Sequence, residues 1–344
     1  MRRFFGPRVP LFLLTLALSF MAVGGYIANE LDREVQVTDP SQVFFVQQGD
    51  GVIRVLTALE AQGIIRSGVL SRLSMVLRGD TFSVKPGEYR LRRGETLHTL
   101  LRRFNDNDVV VYNVTIPEGV TFQWMLERLW RHPQVTRTLS TANDEAIASL
   151  IAPQTSPEGL FLPETYLISR GTSDIEVLRQ ARAAMERELE QLWRERDSGI
   201  PLTEPYEALI LASIIEKETG LGSERPEIGG VFTRRIKKGM RLQTDPTVIY
   251  GLGSDFDGNL KRSHLRDDTN PYNTYRISGL PPTPIALPGK AALIAATHPH
   301  PGETLYFVAR GDGSHAFSKT LVEHEENVRR YQLNRKQNYR SSPR

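Results

Sequence analysis

Residues 9–28 carry no charged side chain and are mostly apolar. Such a run is about as long as a helix must be to cross the hydrocarbon of a bilayer. Arg2, Arg3 and Arg8 precede it, and Glu30 and Asp32 follow. Positive charge before the run places the short N-terminal stretch in the cytoplasm and everything after it outside. The alternative is a cleaved signal peptide, but its apolar core is usually shorter and no clean Ala-x-Ala site follows here. Pro10 stands near the start of the run, where proline costs a helix little. No second apolar run of this length occurs in the chain. The expectation is therefore a single-pass anchor carrying a soluble body.

A chain of 344 residues leaves room for two or three cores beyond the anchor. Its 40% hydrophobic and 24% charged residues are ordinary for a globular protein. Basic and acidic side chains number 43 and 40, so nothing recommends a general nucleic-acid partner, although the tail after Val328 is locally basic. There is no cysteine, which removes disulfides, thiol nucleophiles and thiolate-held metals.

The body divides by texture. Residues 1–8 form the cytoplasmic end, 9–28 the anchor and 29–41 a polar linker. Residues 42–108 read as a small α+β unit. In it, Val43-Phe-Phe-Val46 has strand composition. Helical spacing follows over 53–63, then through Leu70, Leu73, Met75 and Leu77. Residues 84–91 read as a turn feeding a strand, and 96–104 as a helix. The pattern Pro86-Gly-Glu-Tyr89 followed by Gly94-Glu-Thr-Leu97 resembles LysM-like modules of cell-wall proteins. A plain structural spacer is the competing reading of the same residues.

Residues 109–333 read as a larger α+β domain, with 334–344 a basic disordered tail. A strand is expected at 109–114. A helix then carries Phe122, Met125, Leu126 and Leu129, and an amphipathic helix covers 175–193. Helices are expected at 202–219 and 224–238. From Gly239 the texture turns to loops over 243–250, 270–275 and 279–285, rich in polar and aromatic groups that usually line something. A short helix at 291–296, strands at 305–308 and 316–317, and a helix at 323–331 complete the domain.

The helix at 202–219 is the chemically suggestive one. Leu209, Ile210, Leu211, Ala212, Ile214 and Ile215 are too dense for a surface helix, so it should run through the core. Gly220 reads as its stop. Glu216 and Glu218 lie at this end, where burial would hold a proton more tightly than water does. Two positions on a helix are about 200° of rotation, so the two carboxylates face different ways and cannot pair. At most one enters a given cleft. The plain alternative is two solvated acids beside Lys217.

Other motifs are weaker. His298-Pro-His300 lacks the spacing of a zinc site. Ser213 and Ser223 have no Gly-x-Ser-x-Gly elbow. Gly251-Leu-Gly253 is too sparse for a phosphate loop. Asp245, before Pro246, reads as a cap or turn residue.

Several long runs together resemble the YceG-like family, the endolytic murein transglycosylases, over essentially the whole chain. They are Ala212-Ser-Ile-Ile-Glu-Lys-Glu-Thr219, Ser223-Glu-Arg225, Gly239-Met-Arg-Leu-Gln-Thr-Asp-Pro-Thr-Val-Ile-Tyr-Gly251, Tyr272-Asn-Thr-Tyr275, Gly279-Leu-Pro-Pro282, Ile285-Ala286 and Pro288-Gly289. Glu158-Gly-Leu-Phe-Leu-Pro-Glu-Thr-Tyr166 also matches, with Leu160 and Glu164 as mild variants.

The resemblance implies a bacterial inner-membrane enzyme acting on peptidoglycan in the periplasm. It implies non-hydrolytic cleavage of the β-1,4 bond between N-acetylmuramic acid and N-acetylglucosamine within a strand, leaving a 1,6-anhydro end. The family's catalytic glutamate falls on Glu218. Gln243, Asp245, Tyr250, Asn273, Thr274 and Tyr275 are implied substrate-binding residues. No cofactor or metal is called for. The implied partners are glycan strands, the inner membrane and penicillin-binding synthases, with a role in ending nascent strands. A hydrolase using Asp245 as second carboxylate, and a non-catalytic wall-binding scaffold, remain open on the residues alone.

Overall fold

The computed structural model describes residues 8–333. The expected cytoplasmic stretch before Arg8 and the basic tail lie outside those residues. The chain separates into two compact units. One is built from the chain up to Tyr112 together with 167–171, the other from the remainder.

In the first unit, α1 (Arg8–Ala28) continues through a tight turn of 3-10 helix, Asn29–Asp32. Phe12, Leu13, Leu14, Phe20 and Met21 on it are all more than half exposed. A helical segment here is long and apolar enough to cross a membrane. Then come β1 (Val43–Val46), α2 (Val52–Ala61), α3 (Gly68–Arg78), β2 (Gly87–Arg90) and α4 (Leu97–Asp106). β1 and β2 are antiparallel, with Phe44 opposite Tyr89. Alternation turns Phe44 and Val46 inward and leaves Val43 and Phe45 exposed. Phe44 and Tyr89 pack on Phe104 of α4, ring centroids 5.8 and 4.5 Å away. The Ser67 and Thr96 hydroxyls cap α3 and α4. Gly79 closes α3 with φ +71°, a conformation glycine adopts without a Cβ clash.

The helix expected through Leu70, Leu73, Met75 and Leu77 forms, but its inward face differs. α3 buries Gly68, Ser71 and Ser74, and leaves Leu73 and Leu77 exposed. Spacing marks an apolar stripe without saying what covers it.

β3 (Tyr112–Thr115) and β4 (Thr165–Ile168) form a second two-stranded sheet. The expected strand at 109–114 is thus shifted, and the strand after Leu162 was hidden by the turn formers before it. The second unit continues with α5 (Phe122–Trp130), α6 (Glu145–Ile151), α7 (Asp174–Glu195), α8 (Pro205–Glu218), α9 (Arg225–Lys237), α10 (Asp245–Leu252), the single turn α11 (Arg262–Leu265) and α12 (Lys290–Thr297). The hairpin β5 (Tyr306–Ala309) and β6 (His315–Ser318) pairs Phe307 with Phe317, and α13 (Leu321–Val328) follows.

α8 is the axis of this unit. Ala208, Leu209, Leu211, Ala212, Ile214 and Ile215 are completely buried. The helix packs against α7, α9, α10 and α12, which explains why its apolar residues go all the way round. α9 and α12 touch at Gly229, where a Cβ would collide with the Ala295 carbonyl. Pro205 starts α8 at the position where its missing N–H costs nothing.

Two expectations are corrected here. Gly220 does not end α8 in a left-handed conformation. Thr219 ends it, extended at φ −142°, with its hydroxyl accepting from the Leu221 amide. Residues 243–250 are not all loop either, since α10 begins at Asp245. Asp-Pro reads as a turn, yet proline in a first helical turn is equally favourable.

Candidate active site

The last turn of α8 presents two carboxylates to two different environments. Glu216 is buried. Arg225 donates to its Oε1 at 2.6 Å, and the Gly289 amide at the start of α12 donates to Oε2 at 3.1 Å. Arg225 also reaches Glu118 at 3.2 Å. Glu216 therefore ties α8, α9 and α12 together, and both of its oxygens are engaged.

Glu218, on the other side of the helix, is partly exposed and meets different partners. Its Oε1 accepts a hydrogen bond from the Thr244 hydroxyl. Thr244 is the residue before α10, where threonine commonly caps its own helix. Here the hydroxyl makes no such cap and turns to Glu218 instead. Burial pushes the Glu218 carboxyl up to about 7, the Thr244 bond and the nearby Arg235 charge pull it down, and the Asp245 charge raises it. A carboxyl with that affinity is divided between acid and base near neutral pH, which is what a proton-transferring group requires.

The surroundings of Glu218 come from distant loops. The Tyr275 phenol donates to Asp245 Oδ1 at 2.7 Å. Arg235 is buried and donates to the carbonyls of Leu242 and Leu305, both at 2.7 Å. Thr274 accepts from the Thr244 amide at 3.0 Å and lies 2.9 Å from the Thr247 hydroxyl. Thr247 and Thr274 thus hold Thr244, the residue that holds Glu218. Gln243 has φ +52° and an exposed side chain, its amide bonded to the Thr274 carbonyl at 3.2 Å.

The other predicted residues divide. Asp245 and Tyr275 lie near Glu218, and Gln243 directly precedes its partner Thr244. Thr274 is buried beneath them as support. Asn273 is buried too, and its side chain binds the carbonyls of His264 and Asp267 at 3.1 and 2.8 Å. It holds the loop's shape. Tyr250 belongs to a separate pair, donating to Glu158 Oε2 at 3.2 Å. Glu158 is buried and accepts from the Phe122 amide at 2.9 Å, and burial pushes its carboxyl to about 7. The Tyr272 ring lies edge-on to Tyr250 at 4.9 Å.

Sequence reasoning missed Thr244, Arg235 and Glu158 as contributors. Thr244 stands between two residues that were singled out, but nothing local marks a hydroxyl aimed 26 positions back. Arg235 sits on an ordinary-looking helix. Glu158 lies 92 positions from its partner Tyr250, too far for any local pattern to mark the pair. Among the described residues, no group of three or more His, Asp or Glu side chains is placed to hold a metal ion.

The sequence profile of the YceG-like family matches residues 44–330. The chain belongs to the YceG-like family. It is 26% identical to the endolytic murein transglycosylase of Bacillus subtilis, over 83% of each chain. It is also 26% identical to the endolytic murein transglycosylase of Streptococcus pneumoniae strain R6, over 92% of this chain and 64% of that one. The crystal structure of a putative YceG-like protein from Listeria monocytogenes superposes with a TM-score of 0.53 at 28% identity, covering 83% of this chain and 98% of that one. All parts of the site around Glu218 lie inside the span that the family profile matches.

Proposed function

We propose that the protein is an endolytic murein transglycosylase whose acid and base are one residue, Glu218. The observation that carries this is the placement of Glu218: at the end of a core helix, held by Thr244, with a proton affinity near neutrality. Its relatives' names supply the substrate class, peptidoglycan.

Protonated Glu218 gives its proton to the glycosidic oxygen between muramic acid and glucosamine. The bond from that oxygen to the muramyl anomeric carbon breaks, and the ring acquires oxocarbenium character. The muramyl 6-hydroxyl then attacks the same carbon. Its proton passes to the Glu218 carboxylate, so the acid is restored, no water is consumed and a 1,6-anhydro end remains. In this reading the Asp245 carboxylate, oriented by Tyr275, stabilises the cationic ring. Gln243 and the Tyr275 ring supply polar and flat surfaces for the sugars.

The same reading takes α1 as an uncleaved inner-membrane anchor with its N-terminus in the cytoplasm. The body then faces the periplasm beside nascent strands and the penicillin-binding synthases that make them, and cleavage there ends elongation. The LysM-like reading of the first unit makes it a glycan-binding module. Support for it is the pair of turn motifs alone.

Mass spectrometry of glycan products tests the reaction. Full-length protein in detergent is incubated with purified peptidoglycan. Anhydro-ended fragments that disappear with Glu218→Gln are the expected result. Reducing ends in their place would make the protein a hydrolase, with Asp245 as its second carboxylate.

A further inference from the structure

α3 is built inside out for a helix in water. It buries Gly68, Ser71 and Ser74, and exposes Val69, Leu73, Val76 and Leu77 by 75, 41, 70 and 55%. These four fall at helical positions i, i+4, i+7 and i+8, one continuous stripe. Arg72 stands at the edge of the stripe, and Arg66 just before the helix, both exposed. A solvent-facing helix normally shows the opposite arrangement, so a contiguous apolar face of this kind marks a surface that is covered in use.

The buried face is specific. The Ser71 hydroxyl donates to the Ser67 carbonyl at 2.7 Å, and Gly68 sits so close to α2 that a Cβ would lie 3.1 Å from the Leu56 carbonyl. The Ser74 hydroxyl donates to the Ala28 carbonyl at 2.9 Å. Ala28 is the last residue of α1, where carbonyls lose their helical partners. Four residues further along each segment, Arg78 donates to Asp32, at the end of the 3-10 turn that continues α1, at 2.8 Å. The two contacts advance together, so α3 runs beside the end of α1 in the same sense. Its first turn, with Val69, reaches back toward the apolar part of α1.

We propose that α3 docks on the phospholipid bilayer beside the anchor, with Val69 set at the edge of the acyl chains and Leu73, Val76 and Leu77 rising from there through the headgroup region. This rests on the reading of α1 as a membrane anchor. The occupant follows from continuity: α3, which carries the stripe, is held by hydrogen bond and ion pair against the end of a segment long and apolar enough to cross a membrane, the one such helix among the described residues. Arg72 then lies at headgroup level, where its stem stays in apolar surroundings and its charge meets lipid phosphates. Docked in this way, the anchor and the first unit share a fixed end, because α3 is pinned to both.

The chain has no cysteine, so single-cysteine variants can be spin-labelled one at a time. Full-length Val69→Cys, Val76→Cys, Leu18→Cys and Arg54→Cys would be placed in nanodiscs of phosphatidylethanolamine and phosphatidylglycerol. Accessibility to oxygen, which concentrates in lipid, would be compared with accessibility to a water-soluble nickel chelate. The expected oxygen-to-nickel ratio at 69 and 76 is several-fold above that at exposed Arg54 and below that at Leu18. A water-like ratio at 69 and 76 with a lipid value at 18 would overturn the docking and leave the anchor standing. Shielding of 69 and 76 from both reagents would replace lipid by a protein partner. A water-like value at Leu18 would remove the anchor reading and the docking with it.

Discussion

Glu216 and Glu218 leave the last turn of α8 in different directions, and their partners give them different work. Glu216 is locked by Arg225 and the Gly289 amide. Glu218 has one hydroxyl partner, Thr244. Replacing Glu218 by Gln should lower cleavage by at least about a hundredfold, the usual scale for a lost general acid. Its thermal melt should stay at the wild-type value or above it. Substantial residual cleavage would mean that Glu218 is not the acid.

Glu216→Ala should behave in the reverse way. It leaves Arg225 without its buried partner, and breaking such pairs costs about 3–5 kcal/mol. Urea denaturation should show that loss as a lower midpoint with an unchanged slope. An unaffected midpoint would show that the pair contributes nothing.

The pH dependence of cleavage follows from the Glu218 proton. In the proposed mechanism the acid form starts the reaction, so kcat should fall as pH rises through about 7. Thr244→Val removes a bond that pulls this value down, so the alkaline fall should move to higher pH. Asp245→Asn removes a charge that raises it, so the fall should move to lower pH. Rate profiles of the two variants that moved in one direction would contradict this account of the site.

Glu158 supplies a stability test. Its folded-state value, about 7, lies above the ordinary 4.5. The folded protein therefore binds this proton more tightly than the unfolded chain does, and the group's stabilising effect is lost as pH rises from 4.5 to 7. At most about 3–4 kcal/mol is at stake at 1.36 kcal/mol per unit. Glu158→Gln should remove that dependence and melt higher than wild type at pH about 8. Melting curves at acid and alkaline pH check it, and equal differences at both would argue against a buried, proton-holding Glu158.

Much of the architecture was legible because it is local. The strand at Val43–Val46 is where its composition put it. The amphipathic period of α7 and the all-round apolar surface of α8 announced one partly covered helix and one core helix, and both are found. The opposed directions of Glu216 and Glu218 followed from the helical rotation alone. Chain boundaries set by a single tight contact were less legible. The end of α8 depends on how Thr219 meets Leu221, and α10 on a proline that serves turns and helix starts alike.

What the sequence by itself determined is the periodic part: an apolar segment of membrane length, two textures after it, and a core helix ending in two carboxylates that cannot share a cleft. Those properties depend on neighbours within a few turns, and hydrophobic spacing records them. Only the tertiary structure decided which carboxylate Arg225 would neutralise, that Thr244 would reach Glu218, that Tyr250 would face Glu158, and that α3 would turn its serines inward. Each of these joins residues far apart in the chain. Proton affinity and burial are set by what folding brings within a few ångströms, and no local pattern encodes that neighbour.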